Sequence, residues 1–393
     1  MFNDIQETES LAPFHMLVVG VGHAGCRILS DAKASGRPLP DTVGIHTSRQ
    51  ALADCSLDRA LQLGAGVVEG ASTGGDLKLG RICAEQDEAL LRDLFHGYDL
   101  VLFVIGLGGG TGSGATPVMA RLARDVKCFT VCIAVSPFKF EMEDRRRKAE
   151  IGLATLRDHI DAVVCFPNER LFSLMHGRKD LDLGIQTANH FLIGVVTSLY
   201  ELLRGQGMLS LDFGDLKTLV QNSDGTCSIV HAQADGSDAA AKVVEQLLAS
   251  PLLDHGSVLS KAMGLIIGIR GGVGLPLTVV DEVVQRISAV AHVNAKFQVG
   301  VSIDPSLANE LEVTLICSET WRPARALPLE EPVEAGDAQA KADSKRQLVQ
   351  AEIELDTSGG KGKFMNVAPT IHDGEDLDFP AFMRKKIKLS RQY

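Results

Sequence analysis

No stretch of this 393-residue chain approaches the roughly 18 to 20 consecutive apolar residues that cross a bilayer. Its opening, "MFNDIQETESLAPFHM", is acidic where a secretory leader is basic and then apolar. A cytoplasmic location is therefore expected. Positive charge is also in deficit: 39 Lys and Arg against 50 Asp and Glu leave a formal charge of −11, whereas a general nucleic-acid binder needs a basic face. The eight cysteines include no CxxC pair and sit mostly in apolar segments, as Cys128, Cys132, Cys165 and Cys317 do. They read as small buried hydrophobes rather than metal ligands or disulfide partners. One more absence is local. No lysine lies between Lys78 and Lys127, yet that interval holds "GLGGGTGSGATP", residues 106 to 117. A phosphate loop of the GxxxxGK[ST] type would offer a lysine there.

What is present is an alternation of strand and helix patterns. "HMLVVG" ends in the glycine turn "GVGHAG" and runs into "CRILSDAKASG" at helical spacing. "DTVGIHT" reads as a second strand ending at His46 and Thr47, "ALQLGAG" is a third apolar run, and "GRICAEQDEALLRDLFHG" predicts one helix stopped at Gly97. "DLVLFVIG" is continuously apolar, as a parallel strand buried on both faces is. The glycine-rich loop follows it directly, and "ATPVMARLARDV" resumes as a helix with Pro117 tolerated in its first turn. With "CFTVCIAV" and "DAVVCF" as further buried strands, a doubly wound parallel α/β sheet is expected within residues 14–181, after a flexible N-terminus, 1–13.

Residues 182–204, "DLGIQTANHFLIGVVTSLYELLR", are apolar around most of a helical circumference, which predicts a central helix buried between layers. At ~1.5 Å per residue it spans roughly 35 Å, so its ends lie on opposite faces of the molecule. Residues 205–321 then read as a second α/β domain with a mixed four-stranded sheet. Residues 322–373 are rich in charge, Pro and Ala and predict a disordered linker. The end, "EDLDFPAFMRKKIKLSRQY" within 374–393, combines an acidic-apolar segment with a cluster of cations, a pattern suited to a partner-binding peptide.

"GVGHAG" fits G-x-G-x-x-G at Gly20, Gly22 and Gly25, which by itself suggests a dinucleotide fold. The second strand, however, ends in "GIHTSRQ", without the acidic residue that would hold a ribose, and "GGGTGSG" stays unexplained by a nicotinamide enzyme. Two glycine loops at strand ends on one side of a sheet fit one nucleotide held between them. Consecutive N–H groups at a helix start bind an anion without lysine.

"GGGTGSG" at 108 to 114 resembles the signature of the tubulin and FtsZ superfamily. The surroundings resemble FtsZ in particular: "PFKFEMEDRRRKAEIGLATL", "FPNERL", "LDFGDLKTLV" and the tail "DLDFPAFMRKK" are collinear with that family's segments from residue 16 to 386. The resemblance implies a GTPase of bacterial cell division that assembles head to tail into protofilaments. It implies that Gly108, Gly109, Gly110, Thr111, Gly112 and Ser113 cradle the phosphates of GTP or GDP, with Gly22 and Gly25 closing from the first loop and Mg²⁺ on the phosphates supplying the positive charge. Glu141 and Arg145 match ribose and base contacts, and Asn168 a guanine contact. Asp212 and Asp215 match the catalytic acidic pair. They fall beyond the far end of the central helix, so they would serve the nucleotide of a neighbouring subunit. The same aspartates suit N-capping of "LKTLVQN". Leu377, Asp378, Phe379, Pro380, Phe382, Arg384 and Lys385 match the peptide that docks on membrane tethers of the FtsA type, so contact with a membrane is indirect; as an alternative, those cations merely solubilise the end.

The chain departs from the family at several nucleotide contacts. His23 replaces a glycine and Arg27 an asparagine in the first loop, His46 stands in place of an asparagine before Thr47, and "ASTGGDLKLG" replaces the loop near the γ-phosphate. Ile185 stands near the position of the family's base-stacking Phe and so loses an aromatic face, His190 takes the place of the base-reading Asp, and Ser210 replaces the Asn ahead of the acidic pair. Two readings follow: a divergent polymerisation-dependent GTPase, or a non-catalytic scaffold of the same fold.

Overall fold

The computed structural model describes residues 14–173, 181–204, 209, 211–222, 227–318, 371–372 and 375–376. The chain divides into one unit ending at Ala326 and another beginning at Leu327.

In the first unit, β1 (Met16–Val21), β2 (Asp41–His46), β3 (Ala60–Gln62), β4 (Leu100–Gly106), β5 (Phe129–Ser136) and β6 (Ala162–Pro167) form a sheet of order β3-β2-β1-β4-β5-β6. All five pairings are parallel. The uninterrupted apolar runs are explained by burial on both faces. Met16 and Val18 point to one side, where they join Ile28 and Leu29, and Leu17, Val19 and Val21 point to the other, where they join Cys83, Phe95, Met119 and Leu156. The helices of this half are α1 (Gly22–Ala34), α2 (Arg49–Ala53), α3 (Ala65–Val68), α4 (Leu77–Gln86), α5 (Glu88–Phe95), α6 (Thr116–Asp125), α7 (Glu143–Arg157) and α8 (Asn168–Ser173).

The single helix expected to stop at Gly97 is two, α4 and α5, broken at Asp87. The carboxylate of Asp87 accepts the Gly64 N–H at 2.6 Å, an anchor from another loop that pattern reading could not see. Short polar side chains that bond backbone elsewhere interrupt helices in this way.

Helix α9 (Leu181–Arg204) matches the expected central helix and is buried without a break from Leu192 to Leu199. Beyond it come α10 (Phe213–Asn222), β7 (Ser228–Asp235), α11 (Ala239–Ala249), α12 (Ser257–Lys261), β8 (Gly264–Gly271), α13 (Leu277–Val290), β9 (Lys296–Ile303) and β10 (Glu310–Ser318). The second sheet has the order β7-β10-β8-β9 and is mixed: β10 runs antiparallel to β7 and β8, and β8 parallel to β9. One apolar cluster runs from β1 and α1 through α9 into this sheet, taking in Val18, Leu102, Val195, Leu199, Ile267 and Leu315. The buried Arg270 bonds Glu312 and Asp304, each at 2.5 Å, tying three segments of the second half together.

In the other unit, β11 (Ile371–His372) pairs antiparallel with β12 (Glu375–Asp376). That pair lies on either side of the expected linker–peptide boundary at 373/374. The N-terminus 1–13, the remainder of the linker, and the peptide residues from Leu377 to Lys385 lie outside the described residues.

Between α9 and the second sheet, His231 Nδ1 lies 3.0 Å from the Ser198 hydroxyl and 3.3 Å from that of Thr314. Burial, reinforced by the positive charges of Arg37 and Arg270, lowers its pKa from the ordinary 6.5 to about 4. The folded state thus favours the neutral ring, and this contribution to stability is complete above pH 6.5 and lost as the pH falls toward 4. Denaturant midpoints measured across that window should fall by an amount equivalent to at most about 3 kcal/mol. In His231→Gln that part of the pH dependence should disappear.

Candidate functional site

Because the strand order reverses between β1 and β4, the loops that leave their carboxyl ends open a crevice at the switch point of the sheet. Val21 pairs with Ile105, so the two glycine segments start side by side. Gly22 has φ +73° and Gly108 φ +85°, left-handed values that glycine adopts without strain. A Cβ on Gly22 would lie 3.1 Å from Gly112 N, and one on Gly112 2.6 Å from the Gly106 carbonyl. A Cβ on Gly25 would collide with the Val104 carbonyl, so α1 can lie on β4 only through a glycine there.

The expected glycine-rich loop is a loop only through Gly109. Gly110–Ala115 form a widened, π-type helical turn continuous with α6, a correction whose cause is local bonding. Ser113 Oγ accepts the Gly108 N–H at 2.8 Å, Ser113 N donates to Gly109 O at 3.0 Å, and the Thr116 hydroxyl donates to Gly112 O at 2.6 Å. The buried Thr111 hydroxyl meets that of Thr47 at 3.1 Å, joining this turn to the end of β2. Gly109, by contrast, is flanked by open space: a Cβ there would meet nothing within 4 Å. The first amides of a helical turn have no acceptor within it, so this end can accept an anion.

The segment "ASTGGDLKLG" presses against the same turn. Asp76 caps α4 by accepting the Lys78 and Leu79 N–H groups, and a Cβ on Gly110 would run into Thr73 Oγ1 and the Asp76 backbone. Thr73 is buried. Sequence reasoning recorded this stretch only as a departure, although an Asp at the start of a helical pattern is a readable cap. His46 is buried and accepts the Ser48 N–H at Nδ1, 2.8 Å. Burial first, and the charge of His23 second, lower its pKa and keep it neutral. His23 and Arg27 are exposed.

A cavity of about 170 Å³ adjoins the turn and gathers Glu141, Arg145, Asn168, Ile185 and Asn189 along its lining. Arg145 pairs with Glu141 at 2.7 Å, and its backbone carbonyl would lie 2.6 Å from a Cβ on Gly108, so cavity and glycine turn are neighbours. Glu141 also accepts the Phe138 N–H at 2.9 Å. His190 is exposed and does not line this cavity. Asn189 does, fixed by a 2.7 Å bond to Asp31 of α1, a tie across 158 residues of sequence.

Asp212 and Asp215 lie elsewhere. Each caps the other: Asp215 N donates to Asp212 Oδ1 at 2.8 Å and Asp212 N to Asp215 Oδ2 at 3.1 Å. Phe213, between them, packs on Phe14 before β1 and Phe129 at the start of β5, with ring centroids 5.3 and 5.6 Å away. The pair therefore sits at the amino-terminal edge of the sheet, opposite the glycine turn, and β5 alone separates the two edges by roughly 23 Å. Ser210 lies outside the described residues. Among the described residues no three His, Cys, Asp or Glu side chains converge as metal ligands, and no helix is long and apolar enough to cross a membrane.

Comparison with known proteins gives the following. Residues 15–176 match the Tubulin/FtsZ family GTPase domain, and residues 225–320 the FtsZ family C-terminal domain. The cell division protein FtsZ of Azotobacter vinelandii is 30% identical over 387 residues, covering 94% of this chain and 96% of that protein. That of Wigglesworthia glossinidia brevipalpis is 31% identical over 318 residues, covering 81% and 82%. Among solved structures, an empty FtsZ dimer from M. jannaschii superposes with a TM-score of 0.70 at 30% identity, over 82% of this chain and 95% of that one.

The two central glycines make opposite demands that can be measured. Gly112→Ala should distort the turn and destabilise the fold by about 1–3 kcal/mol. Gly109→Ala should leave the thermal midpoint unchanged while weakening nucleotide binding, as read by calorimetric titration.

Proposed function

The chain belongs to the tubulin/FtsZ family, and from that premise we propose that this tubulin-like GTPase of cell division binds guanine nucleotide at the glycine turn and hydrolyses it only between stacked subunits. The observation that carries this reading is the placement of the acidic pair. Asp212 and Asp215 stand at the edge of the sheet opposite the turn, so neither reaches a nucleotide in its own subunit. Head-to-tail stacking sets that edge of one copy against the turn of the next.

In this reading residues 14–181 bind the nucleotide, α9 spans the subunit, and residues 205–321 carry the acids. Gly108, Gly109, Gly110, Thr111, Gly112 and Ser113 hold the phosphates, with Gly22 and Gly25 at the back of the crevice. Glu141, Arg145 and Asn168 hold ribose and base. Asn189, rather than the exposed His190, stands closest to a base in the cavity described above. The open side of Gly109 and the left-handed Gly22 and Gly108 fit a bound polyphosphate. Mg²⁺ would ride on the phosphate oxygens near Thr73 and Thr111, supplying charge that the turn lacks; such a cation needs few protein ligands when phosphates coordinate it. Water attacks the γ-phosphorus, the bond to the β–γ bridging oxygen breaks, GDP and phosphate separate, and the water's proton passes to a carboxylate of the neighbouring subunit or to solvent. Asp212 Oδ1 accepts a backbone N–H, whereas Oδ2 has no partner among the described residues and is free to orient that water.

The terminal segment extends the reading to recruitment. Leu377, Phe379 and Phe382 around Pro380, with Asp378, Arg384 and Lys385, would dock on a tether of the FtsA type at the division site. Truncation after Asp373 should leave turnover intact and abolish midcell recruitment in fluorescence imaging.

Phosphate release per subunit should switch on sharply above a critical protein concentration. Asp212→Ala should retain GTP binding and lose turnover by about 10²-fold or more. Release that is linear in protein from the lowest concentrations would overturn the polymer requirement, and binding without release at any concentration would favour the scaffold.

A further inference from the structure

The segment that carries the acids, packed through Phe213 on the first sheet's edge, is also tied to the second sheet at one edge strand. Leu209 forms an antiparallel bridge to Val301 of β9, with Val301 N donating to Leu209 O at 2.9 Å. Leu211 lies over Gly300, where a Cβ would come within 2.7 Å of the Leu211 Cβ. Gln298, on the same face of β9 as Gly300 by strand alternation, donates from Nε2 to Asp215 Oδ1 at 2.9 Å. Three successive contacts on β9 thus meet residues 209, 211 and 215.

This divides the acidic pair by its hydrogen bonds. Asp215 uses both carboxylate oxygens, Oδ2 toward Asp212 N and Oδ1 toward Gln298, whereas among the described residues Asp212 uses one. An ionised carboxylate that accepts two donors is fixed in place, and its neighbour's unengaged oxygen is aimed by the shared cap. We infer that Gln298 is a positioning residue for hydrolysis: it clamps Asp215 to β9, and Asp215 through the reciprocal cap sets the direction of the Asp212 oxygen that meets water. The inference rests on the proposed role of the acidic pair. It adds that the second sheet sets the alignment of the acids. Substitution can probe this side chain gently, because Gln298 is exposed and packs no core.

Three variants separate the bond from the shape. Gln298→Met keeps the length and loses the donor, Gln298→Glu places a carboxylate against Asp215, and Gln298→Lys keeps a donor of similar reach. At saturating GTP and above the critical concentration, Gln298→Met should lower kcat five- to tenfold with KM and critical concentration unchanged. Gln298→Glu should lower it further, and Gln298→Lys should stay within twofold of the parent. Backbone hydrogen exchange of the peptide spanning 209–215 should rise several-fold in the Met variant and not in the Lys variant, and this readout needs no turnover. Unchanged exchange in Gln298→Met would overturn the clamp. A Met variant with raised critical concentration and normal kcat would overturn it as well, by making Gln298 an interface contact. Faster exchange beside full turnover in Asp212→Ala would instead leave the clamp standing and remove the role given to the acids.

Discussion

The structure depends on one helix whose middle has no side to give to water, although Asp182, Gln186 and His190 nearer its start are exposed. From Leu192 to Leu199 every residue of α9 is buried, so the helix can exist only with a layer on either flank, and each sheet in turn needs α9 to cover an apolar face. That mutual requirement joins the two sheets in one apolar cluster. It also fixes a distance. A 24-residue helix is about 36 Å long, and its flanks carry the cavity residues at one end and lead into the acidic segment at the other. The separation of turn and acids, on which the polymer-dependent reading rests, is a consequence of helix length.

A second constraint acts at short range. The crevice is built from backbone packed on backbone: Gly22 on Gly112, Gly112 on Gly106, Gly25 on Val104, Gly80 on Gly110. Side chains at these points would push the two loops apart, which is why the segment is glycine-rich beyond the needs of a simple turn. Gly109 stands apart from the set, because open space surrounds it. Packing demands explain the other glycines, and access explains this one.

Much of this was legible in the sequence. The uninterrupted apolar runs and the glycine turns between them gave the parallel sheet, the all-round apolar stretch gave α9, and the pattern within residues 205–321 gave the mixed sheet. What could not be read were long-range polar ties. Asp87 breaks a helix because Gly64 claims its carboxylate, Asn189 is held by Asp31, and Asp215 is held by Gln298 across 83 residues. Periodicity reports which face of an element is buried and is silent on which distant donor an exposed carboxylate finds. The helical turn at 110–115 was missed for the opposite reason: glycine has poor helix propensity, and the Ser113 and Thr116 side-chain bonds override it locally.

The absence of lysine in the turn has a physical counterpart in the charges around it. His46, the titratable side chain beside Thr47 at the end of β2, is buried, bonded through Nδ1 to backbone and kept neutral. Arg145, next to Gly108, is already paired with Glu141. The turn therefore offers an anion amides and a helix start rather than a fixed side-chain cation, and those dipoles are present whether or not a ligand is bound. A lysine would hold a diphosphate about as tightly as a triphosphate wherever its charge reached both. Amides arranged along an arc discriminate by length, since each oxygen must find its own donor. For a protein proposed to hydrolyse its nucleotide between stacked subunits, a site that read the number of phosphates through backbone geometry, and left charge compensation to a mobile cation, would lose grip when the terminal phosphate leaves.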